Sequence, residues 1–372
     1  MDLKAMDAHR RAIRLWLYVV AALVVLMVMV GGATRLTDSG LSIVEWRPIA
    51  GTVPPLNEAD WIMELEKYKT SSEYELVNKG MTLGEFKRIY WWEWGHRLLG
   101  RVIGVAFVVP LLFFQLRGWI EPKLKWRLWL IFALGGLQGV IGWWMVASGL
   151  VGRVDVAQER LAVHLTMACL ILIALVWTAR IIAPTRYAAP APWRLAPAAA
   201  MILTLLMAQI ALGGLVAGLK AGLVYDTWPL IDGALLPDPA RLFFYEPLWV
   251  NFVDNHLMVQ FTHRMVAYLL VGLATLHAID CAWNDSGLFR AGAFVLAAML
   301  LVQAMLGIAT LLSHVPISLA LIHQAVAIIA LIVATVHAGN LRAIRTSSAA
   351  RDEWKDQARA RQFSMGLVWF WI

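Results

Sequence analysis

The sequence predicts an all-α integral membrane protein with eight transmembrane helices, and three observations carry that prediction. The chain has 372 residues, of which 60% are hydrophobic and 15% are charged, whereas soluble domains carry about 25% charged residues. Its mean hydropathy is +0.66. Eight segments approach the length of about 20 apolar residues that spans a bilayer. The 19 Trp residues are typical of proteins with aromatic belts at both membrane interfaces.

The predicted spans follow one another along most of the chain. The second span is the weakest, because Arg97 and Arg101 shorten its uninterrupted apolar run. The first span follows a basic segment that resembles a signal peptide, but its apolar stretch is too long and no small-residue cleavage site follows, so we expect it to be retained. The predicted boundaries are 13–34, 94–116, 126–147, 161–182, 196–218, 257–281, 290–312 and 318–340.

The charge distribution predicts the orientation of these spans. A net charge of +7 is compatible with a nucleic-acid-binding protein. With the N-terminus inside, however, the inner segments carry 18 basic and 8 acidic residues, against 14 and 17 outside. This positive-inside bias predicts that both termini are cytoplasmic. It also explains the excess charge without any nucleic-acid partner.

Two long segments lie on the predicted outer side, at 35–93 and 219–256. Segments of this length are usually functional or separately structured. Residues 56–90 have a helical composition, and we expect them to lie along the membrane surface. The charged tail 343–362 is also predicted to be helical, and the apolar end 363–372 has no assigned role.

The chain contains an internal repeat. At a constant offset of 182 residues, one glycine-rich segment aligns with a second, and His-Arg and Gln-x-x-x-Gly motifs recur in the same order. A shared order of weak matches indicates duplication. We therefore predict two pseudo-symmetric four-helix bundles, at 1–195 and 196–341, followed by a tail at 342–372. The matched positions are Gly31, Gly32, Gly40, Leu41 and Trp46 with Gly213, Gly214, Gly222, Leu223 and Trp228; His96-Arg97 with His263-Arg264; Gln138/Gly142 with Gln303/Gly307; and His164 with His323.

Four histidines lie at one depth, near the outer ends of the four even-numbered spans. A single histidine in a span is more often a hydrogen-bonded packing residue, but two per repeat at matched depth favour a functional site. Two imidazoles on facing helices of a bundle suit the two axial positions of haem iron. Copper or zinc fits less well, because no further ligand joins either pair at an obvious spacing. Gly95 and Gly100 are small residues that would let a flat macrocycle approach the backbone. The four histidines are His96, His164, His263 and His323.

Charged residues beside these histidines are further candidates. Arg97 and Arg264 follow two of them directly and could bind haem propionates as bidentate partners; the alternative is that they reach out to the membrane interface. Glu93 lies three residues before His96, on the same helical face. It is either a proton-carrying carboxylate beside the haem or a solvated residue at a helix start.

The remaining histidines and the two cysteines are weaker candidates. His256 shares a face with His263 and could lie at the haem rim, and His314, in a short outer loop, could cap a site. His9, His277 and His337 lie toward the inner side, where we expect them to be interface residues. Cys169 and Cys281 differ in predicted depth by about 24 Å, which excludes a disulfide and predicts structural roles.

Five segments together resemble the heme A synthase family, the membrane enzymes that make the haem of aa3-type cytochrome oxidases. The most specific signal is Glu-x-x-His-Arg together with the Gly-Gly-x-Thr-Arg-Leu-Thr-x-Ser-Gly-Leu stretch. The resemblance extends from residue 31 to residue 340. The segments are GGATRLTDSGLSIVEWRPI (31–49), EWGHRLLGR (93–101), LAVHLTMA (161–168), QFTHRMVAY (260–268) and ALIHQAVA (320–327).

The resemblance implies a reaction and a division of roles between the halves. Haem O would be oxidised at its C8 methyl group by two successive hydroxylations, and loss of water from the gem-diol would give the formyl group of haem A. His263 and His323 would ligate a resident haem b. His96 and His164 would hold the substrate haem, with Glu93 as the catalytic carboxylate. From the residues alone the two sites look equivalent, except that Gln260 stands where Glu93 stands in the other half.

The sequence departs from one pattern of the resembled family. Some members carry cysteine pairs in their outer loops with a proposed redox role, and this chain has none there. It resembles the cysteine-free class of mitochondria and related proteobacteria, and without a transit peptide a bacterial inner membrane is the expected location. A haem O synthase, an electron-transfer partner and further copies of the chain are possible partners.

Two other functions are compatible with parts of this pattern. A di-haem electron-transfer cytochrome would also need two bis-His sites, but it should place its haems at different depths. A transporter is weaker, because no pair of broken helices or midplane carboxylate stands out.

Overall fold

The computed structural model describes residues 3–183, 192–284 and 288–345. Within them, eight long helices are apolar enough to cross a membrane, which confirms the predicted all-α membrane fold. The predicted helical tail and apolar end lie outside the described residues, apart from the last turn of the eighth helix. The helices are α1 (Leu3–Leu36), α2 (Leu83–Leu116), α3 (Pro122–Ala147), α4 (Gln158–Ile181), α5 (Leu195–Gly218), α6 (His256–Asn284), α7 (Leu288–Leu312) and α8 (Ile317–Arg345).

Helix α2 begins eleven residues before the span predicted at 94–116. Thr82 caps its first turn and receives the N–H of Glu85, whose side chain in turn accepts the N–H of Thr82. This reciprocal pair satisfies helix-start donors that a helix otherwise leaves unpaired. The helix therefore continues outward from the apolar span. His96 lies about 20 Å from the start of α2, rather than in its first two turns.

Helix α2 also continues through Pro110. Proline has no N–H, so the carbonyl four residues earlier, at Ala106, loses its partner within the helix. The indole N–H of Trp16 on α1 donates to that carbonyl at 2.8 Å. Trp16 also packs against Phe107. An apolar interior thus tolerates the proline because a neighbouring helix replaces the missing hydrogen bond.

The segment between α1 and α2, which is predicted to lie on the outer side and is called outer below, folds into a small cap. It contains the helices Glu58–Tyr68 and Ser72–Leu76, which confirms the predicted helical character of this region. Aromatic side chains from these helices and from the outward part of α2 form one buried cluster. The cap also binds the α3–α4 connection, because the N–H of Gly152 donates to Ser72 Oγ at 2.8 Å. The cap is therefore packed on the protruding end of α2.

The long helices contact one another in two rings. In the first half, α1 packs on α2 and α4, and α3 packs on both α2 and α4. In the second half, α5 packs on α6 and α8, and α7 packs on both of those helices. The repeated contact order agrees with the predicted duplication, while a symmetry relation between the halves stays a prediction.

Small residues bring the two halves together along α4 and α5. A Cβ atom on Gly214 would lie 3.0 Å from Ala162 Cα, and one on Gly218 would lie 2.7 Å from Gln158 Cα. The two glycines are four residues apart in the sequence, and small residues at this separation let membrane helices approach closely. Gln158 also donates to the carboxylate of Asp254, from the second half. Helix α8 completes the contact by packing against α1 and α4.

Candidate functional site

Each of the four histidines lies against a glycine of the helix that precedes it. At each of these glycines an added side chain would meet an imidazole ring. The same glycine–imidazole contact therefore occurs twice in each half. None of the four glycines was predicted to contact a ring, although all belong to the repeated motifs. A Cβ on Gly31 would lie 3.0 Å from His96 Nε2, on Gly142 2.9 Å from His164 Cε1, on Gly213 3.3 Å from His263 Cε1, and on Gly307 2.9 Å from His323 Cε1.

The histidines of each half are neighbours. His96 and His164 are close enough to interact electrostatically, and so are His263 and His323. The structure therefore brings together the pairs that the sequence predicts. Gly95 has no other atom within 4 Å where its side chain would be, and Gly100 faces Met27. The glycines that shape the space around the rings are on the odd-numbered helices.

Glutamine amides accompany three of the four rings. Gln138 Nε2 donates to the carbonyl of His164 at 3.0 Å, and Gln209 Nε2 donates to the carbonyl of His263 at 3.0 Å. Gln303 Nε2 lies 3.3 Å from His323 Nε2. Gln138 and Gln303 were noted in the repeated motif without an assigned role. Gln209 was not identified from the sequence, because the equivalent position in the first half is Met27 and no repeated glutamine marks it.

This interior fits a bound polar or metal-containing group. The Oε1 atoms of all three glutamines and His323 Nδ1 are buried without a hydrogen-bond partner among the described residues. Buried polar atoms are nearly always satisfied, so a cluster of exceptions indicates a missing partner such as a ligand or ion. Facing imidazoles, glycine-lined walls and apolar surroundings are also what an axially ligated haem requires.

Glu93 is buried and held by three donors. It is 3% exposed, and Oε2 accepts from Ser42 Oγ at 2.7 Å and from the N–H of Ile43 at 2.9 Å. Arg97 Nη2 donates to Oε1 at 2.6 Å. The alternative prediction of a solvated residue at a helix start is therefore wrong, because α2 begins well before Glu93 and an outer loop covers it.

Arg97 and Arg264 bind backbone carbonyls of the two outer loops. Arg97 donates to the carbonyls of Ile43 and Glu45 at 2.7 and 2.9 Å. Arg264 donates to the carbonyls of Tyr225 and Thr227 at 3.4 and 2.8 Å.

These carbonyls are themselves equivalent, since 43 and 225, and likewise 45 and 227, are 182 residues apart. Both guanidinium groups point into the protein, and Arg264 is only 8% exposed. Propionate binding and a position at the membrane interface both stay predictions for these two arginines.

The repeat position of Glu93 in the second half carries an amide with the opposite hydrogen-bonding role. Gln260 is buried, and its Nε2 donates to the carbonyl of Tyr225 at 2.9 Å. Glu93 instead accepts from the N–H of Ile43, the residue equivalent to Tyr225. The two halves therefore bind the equivalent loop from the same helix position, but only the first half carries a carboxylate at that position.

A cleft of about 170 Å³ lies on the outer side of Arg97 and is bounded by the first outer loop. Arg97 and Arg101 line it from α2, and Glu45 and Arg47 line it from the loop. Arg101 donates to the carbonyls of Pro48 and Arg47, while its Nη1 is buried without a partner among the described residues. The cleft is thus lined from α2 by two guanidinium groups.

The remaining histidines lie elsewhere. His256 is the partly buried first residue of α6, and the exposed His314 faces the carboxylate of Asp226 at 3.3 Å. His9 stacks on Trp119. His277 and His337 are 4% and 3% exposed, so the prediction that they are interface residues is wrong.

Both cysteines are buried and neither forms a disulfide, as predicted. Cys281 lies 3.7 Å from the ring of His277, an association that the sequence analysis did not predict.

Comparison with known proteins identifies the family. Residues 14–335 match the family of cytochrome oxidase assembly proteins. The heme A synthase of Rhodopseudomonas palustris (strain BisB5) is 56% identical over 341 residues, which cover 92% of this chain and 94% of that protein. The heme A synthase of Bradyrhizobium diazoefficiens is 56% identical over 331 residues, covering 89% and 92%. That of Azorhizobium caulinodans is 54% identical over 330 residues, covering 89% and 94%.

The family match at residues 14–335 includes both histidine pairs, both outer loops and at least part of each of the eight long helices. The matches favour the enzyme over the electron-transfer cytochrome, because the relatives are named for a synthesis. The paired histidines, the buried Glu93 and the extent of these matches lead to one conclusion: the chain belongs to the heme A synthase family of cytochrome oxidase assembly proteins.

Proposed function

We propose that this multi-pass membrane protein is an oxidoreductase that converts the C8 methyl group of haem O into the formyl group of haem A by successive hydroxylations. The observation that carries the proposal is the buried Glu93, fixed by Ser42, Ile43 and Arg97 beside the first histidine pair. The equivalent position in the second half is Gln260, which is not ionisable. The names of the relatives support the same reaction.

The difference between the halves assigns their roles. His96 and His164 hold the iron of the substrate haem, because their half contains the ionisable Glu93. His263 and His323 would hold the iron of a resident haem b, because Gln260 leaves their site without a carboxylate. A haem held by two histidines supplies one-electron redox chemistry.

Glu93 serves as the proton-accepting group of the first site. Its carboxylate oxygens are the buried acceptors nearest in sequence to His96, and oxidation of a methyl group releases protons that must leave an apolar interior. A carboxylate fixed by three donors is pre-oriented for this transfer. Arg97 binds both Glu93 and the outer loop, so it positions the carboxylate relative to His96.

The two arginines also contribute to haem retention. Arg264 anchors the loop at 225–230 near the second site, and Arg97 anchors the loop at 43–45 near the first. Each guanidinium group is also proposed to bind a haem propionate. We expect Arg264→Ala to lower the haem content per protein, measured by pyridine haemochrome, because the loop loses its buried anchor. Unchanged haem content would contradict this role.

The location and partners follow from the same reaction. We place the protein in a bacterial inner membrane with both termini cytoplasmic, since the relatives are bacterial and the inner loops carry the positive excess. The domain division at 1–195 and 196–341 follows the two helix rings. Haem O is the substrate, and a haem O synthase, an electron-transfer protein and a second copy of the chain are candidate partners.

Pigment analysis tests the proposal. The chain, produced in a host that supplies haem O, is purified and its haems are extracted and separated. We expect haem A or its hydroxylated intermediate with the unmodified chain and with Glu75→Ala, a control at an exposed carboxylate of the segment between α1 and α2. Glu93→Ala and Glu93→Gln should retain haem b and lose the conversion. Haem b alone in every sample, or full conversion by Glu93→Ala, would contradict the proposal.

A further inference from the structure

A second cluster of histidine side chains lies deep in the second half, away from the site described above. His277 Nε2 on α6 and His337 Nε2 on α8 are 2.9 Å apart, and Cys281 Sγ lies 3.7 Å from His277 Nε2. The three potential ligand atoms all lie within 4.8 Å of one another. All three residues are buried, so two imidazoles and a thiol converge in a water-poor interior.

The cluster is separate from the second haem site. His277 follows His263 by 14 residues, and His337 follows His323 by the same number. This spacing corresponds to about 21 Å along each helix. The same two helices therefore carry a second histidine pair toward their opposite ends. The repeat positions in the first half are Pro110 and Thr178, so the cluster belongs to the second half alone.

The surroundings of the cluster are apolar and closely packed. Ala278, Phe289, Ala293 and Ala338 belong to the same buried group as Cys281. A Cβ on Gly292 of α7 would lie 2.9 Å from His337 Nδ1, so this helix presses on the far side of the ring. The neighbouring carboxylate of Asp280 is bound by Arg194 at 2.8 and 2.9 Å.

Charge and ligand type select the ion that this cluster can bind. Two neutral imidazoles and one thiolate carry a single negative charge, so a monovalent cation yields a neutral site and a divalent one leaves a buried positive charge, which is costly in an apolar interior. Thiolate and imidazole are both ligands of copper, and a thiolate favours Cu(I). Structural zinc sites take four protein ligands, and three are assembled here.

The distances are compatible with a three-coordinate ion. With bonds of about 2.0 Å to nitrogen and about 2.3 Å to sulfur, a trigonal site separates nitrogen from sulfur by about 3.7 Å. Cys281 Sγ lies at 3.7 Å from His277 Nε2, and its distance to the ligand nitrogen of His337 is at most 4.8 Å. The two nitrogens have to move apart by about 0.6 Å from their 2.9 Å separation. Ion binding therefore requires a rotation of the two imidazole side chains.

We propose that His277, Cys281 and His337 form a binding site for one Cu(I) ion at the inner end of the second half. Binding releases the thiol proton of Cys281, and no electron transfer is required. The alternative is a plain hydrogen bond between two neutral imidazoles. The two arrangements differ in metal uptake and in the reactivity of Cys281.

Competition for Cu(I) tests the proposal on the full-length protein in detergent. Under anaerobic reducing conditions the protein is titrated against a chromogenic Cu(I) chelator. We expect one ion per chain for the unmodified protein and for Cys169→Ser, the matched control at the other buried cysteine. Cys281→Ser and His337→Gln should lower the affinity more than about tenfold. Haem content, measured on the same samples, reports whether each variant is folded.

A second readout uses the unmodified protein alone. Bound Cu(I) should protect Cys281, and not Cys169, from alkylation after brief denaturant exposure, as read by mass spectrometry. The proposal is overturned by a failure of the unmodified protein to compete for Cu(I), by equal uptake in Cys281→Ser, or by tight binding of Zn²⁺ in place of Cu(I). None of these measurements depends on haem O conversion, so the site and the proposed function fail or succeed separately.

Discussion

At the scale of single residues, four glycines decide where the four histidine rings lie. Gly142 and Gly307 are equivalent positions on α3 and α7, and each leaves less than a methyl group of space beside a ring. A side chain there must displace the imidazole or the helix, and overpacking of this kind costs about 1–3 kcal/mol. The imidazole rings thus occupy space that the glycines leave free, and glutamine side chains contact three of the four histidines.

Alanine substitutions at these two glycines should separate the two sites. We expect Gly307→Ala to lower the resident haem content about tenfold, because 1–3 kcal/mol of strain falls on His323. Gly142→Ala should leave the resident haem in place and lower haem O conversion. Haem content and product analysis measure the two effects.

Two open glycines serve as controls for this pair. Gly139 on α3 and Gly272 on α6 have nothing within 4 Å of an added Cβ, so alanine should be neutral at both. Equal effects of Gly307→Ala and Gly142→Ala on the resident haem would contradict the assignment of one site to each half.

The sequence predicts the residues of the site better than their partners. His96, Glu93 and Arg97 stand out because charged and polar groups are rare in apolar spans. Their partners depend on how far each helix is rotated about its axis, and a helix that is apolar on all sides has no pattern that fixes the rotation. The contacts of Gly31 and Gln209 with the rings therefore became visible only in the folded chain.

At the scale of elements, the outer cap contains a group whose charge depends on pH in the neutral range. Burial raises the pKa of Glu73 from its ordinary 4.5 to about 7. Its carboxyl group accepts from the hydroxyl of Tyr68 at 2.8 Å, and that hydroxyl accepts from Asn78. Because the folded cap holds this proton to a higher pH than the unfolded chain does, the cap loses stability as the pH rises from about 4.5 to about 7.

Replacement of Glu73 by Gln should remove this loss. The amide keeps an acceptor for Tyr68 and stays neutral. We therefore expect the ratio of protease cleavage rates, unmodified protein over Glu73→Gln, to be higher at about pH 8 than at about pH 5.5. Cleavage within residues 58–81 is the measurement. A ratio between the two proteins that does not change with pH would contradict the assignment.

The cap also shows what could be read from the sequence at this scale. The Thr-Leu-Gly-Glu stretch at 82–85 is a capping-box pattern that marks the start of α2. The prediction of a span from residue 94 followed hydropathy, which detects the membrane-embedded part and not the helical extension beyond it. Packing of the cap on that extension depends on tertiary contacts among aromatic residues such as Tyr68 and Phe86.

At the scale of the whole molecule, the two helix rings meet mainly through α4, α5 and α8. Charged groups strengthen this contact at the outer end. Lys220 of the second half pairs with Asp38 and Asp155 of the first, at 3.4 and 3.1 Å, and Arg35 contacts the same two carboxylates. The contact of the two rings therefore combines close helix packing with an ion-pair network.

Valine at Gly218 should weaken the contact between the halves. The added side chain meets the backbone of Gln158 at Cα, and backbone cannot rotate away as a flexible side chain can. We expect a lower unfolding temperature in detergent and loss of haem O conversion, with Gly104→Val, an open position on α2, as the control. An unchanged unfolding temperature would show that the halves are held together by other contacts.

The long helix α2 has a mechanical consequence for the first site. Glu93, His96 and Arg97 lie within two turns of one continuous helix, so their mutual positions are those of a single rigid body. His164 lies on a different helix, α4. Helices α1 and α3 each contact both α2 and α4. One side of the site is therefore a single helix that carries three of its residues, and the other side is α4 with His164. We expect entry of a flat substrate to change the gap between α2 and α4, with Glu93, His96 and Arg97 moving together on α2.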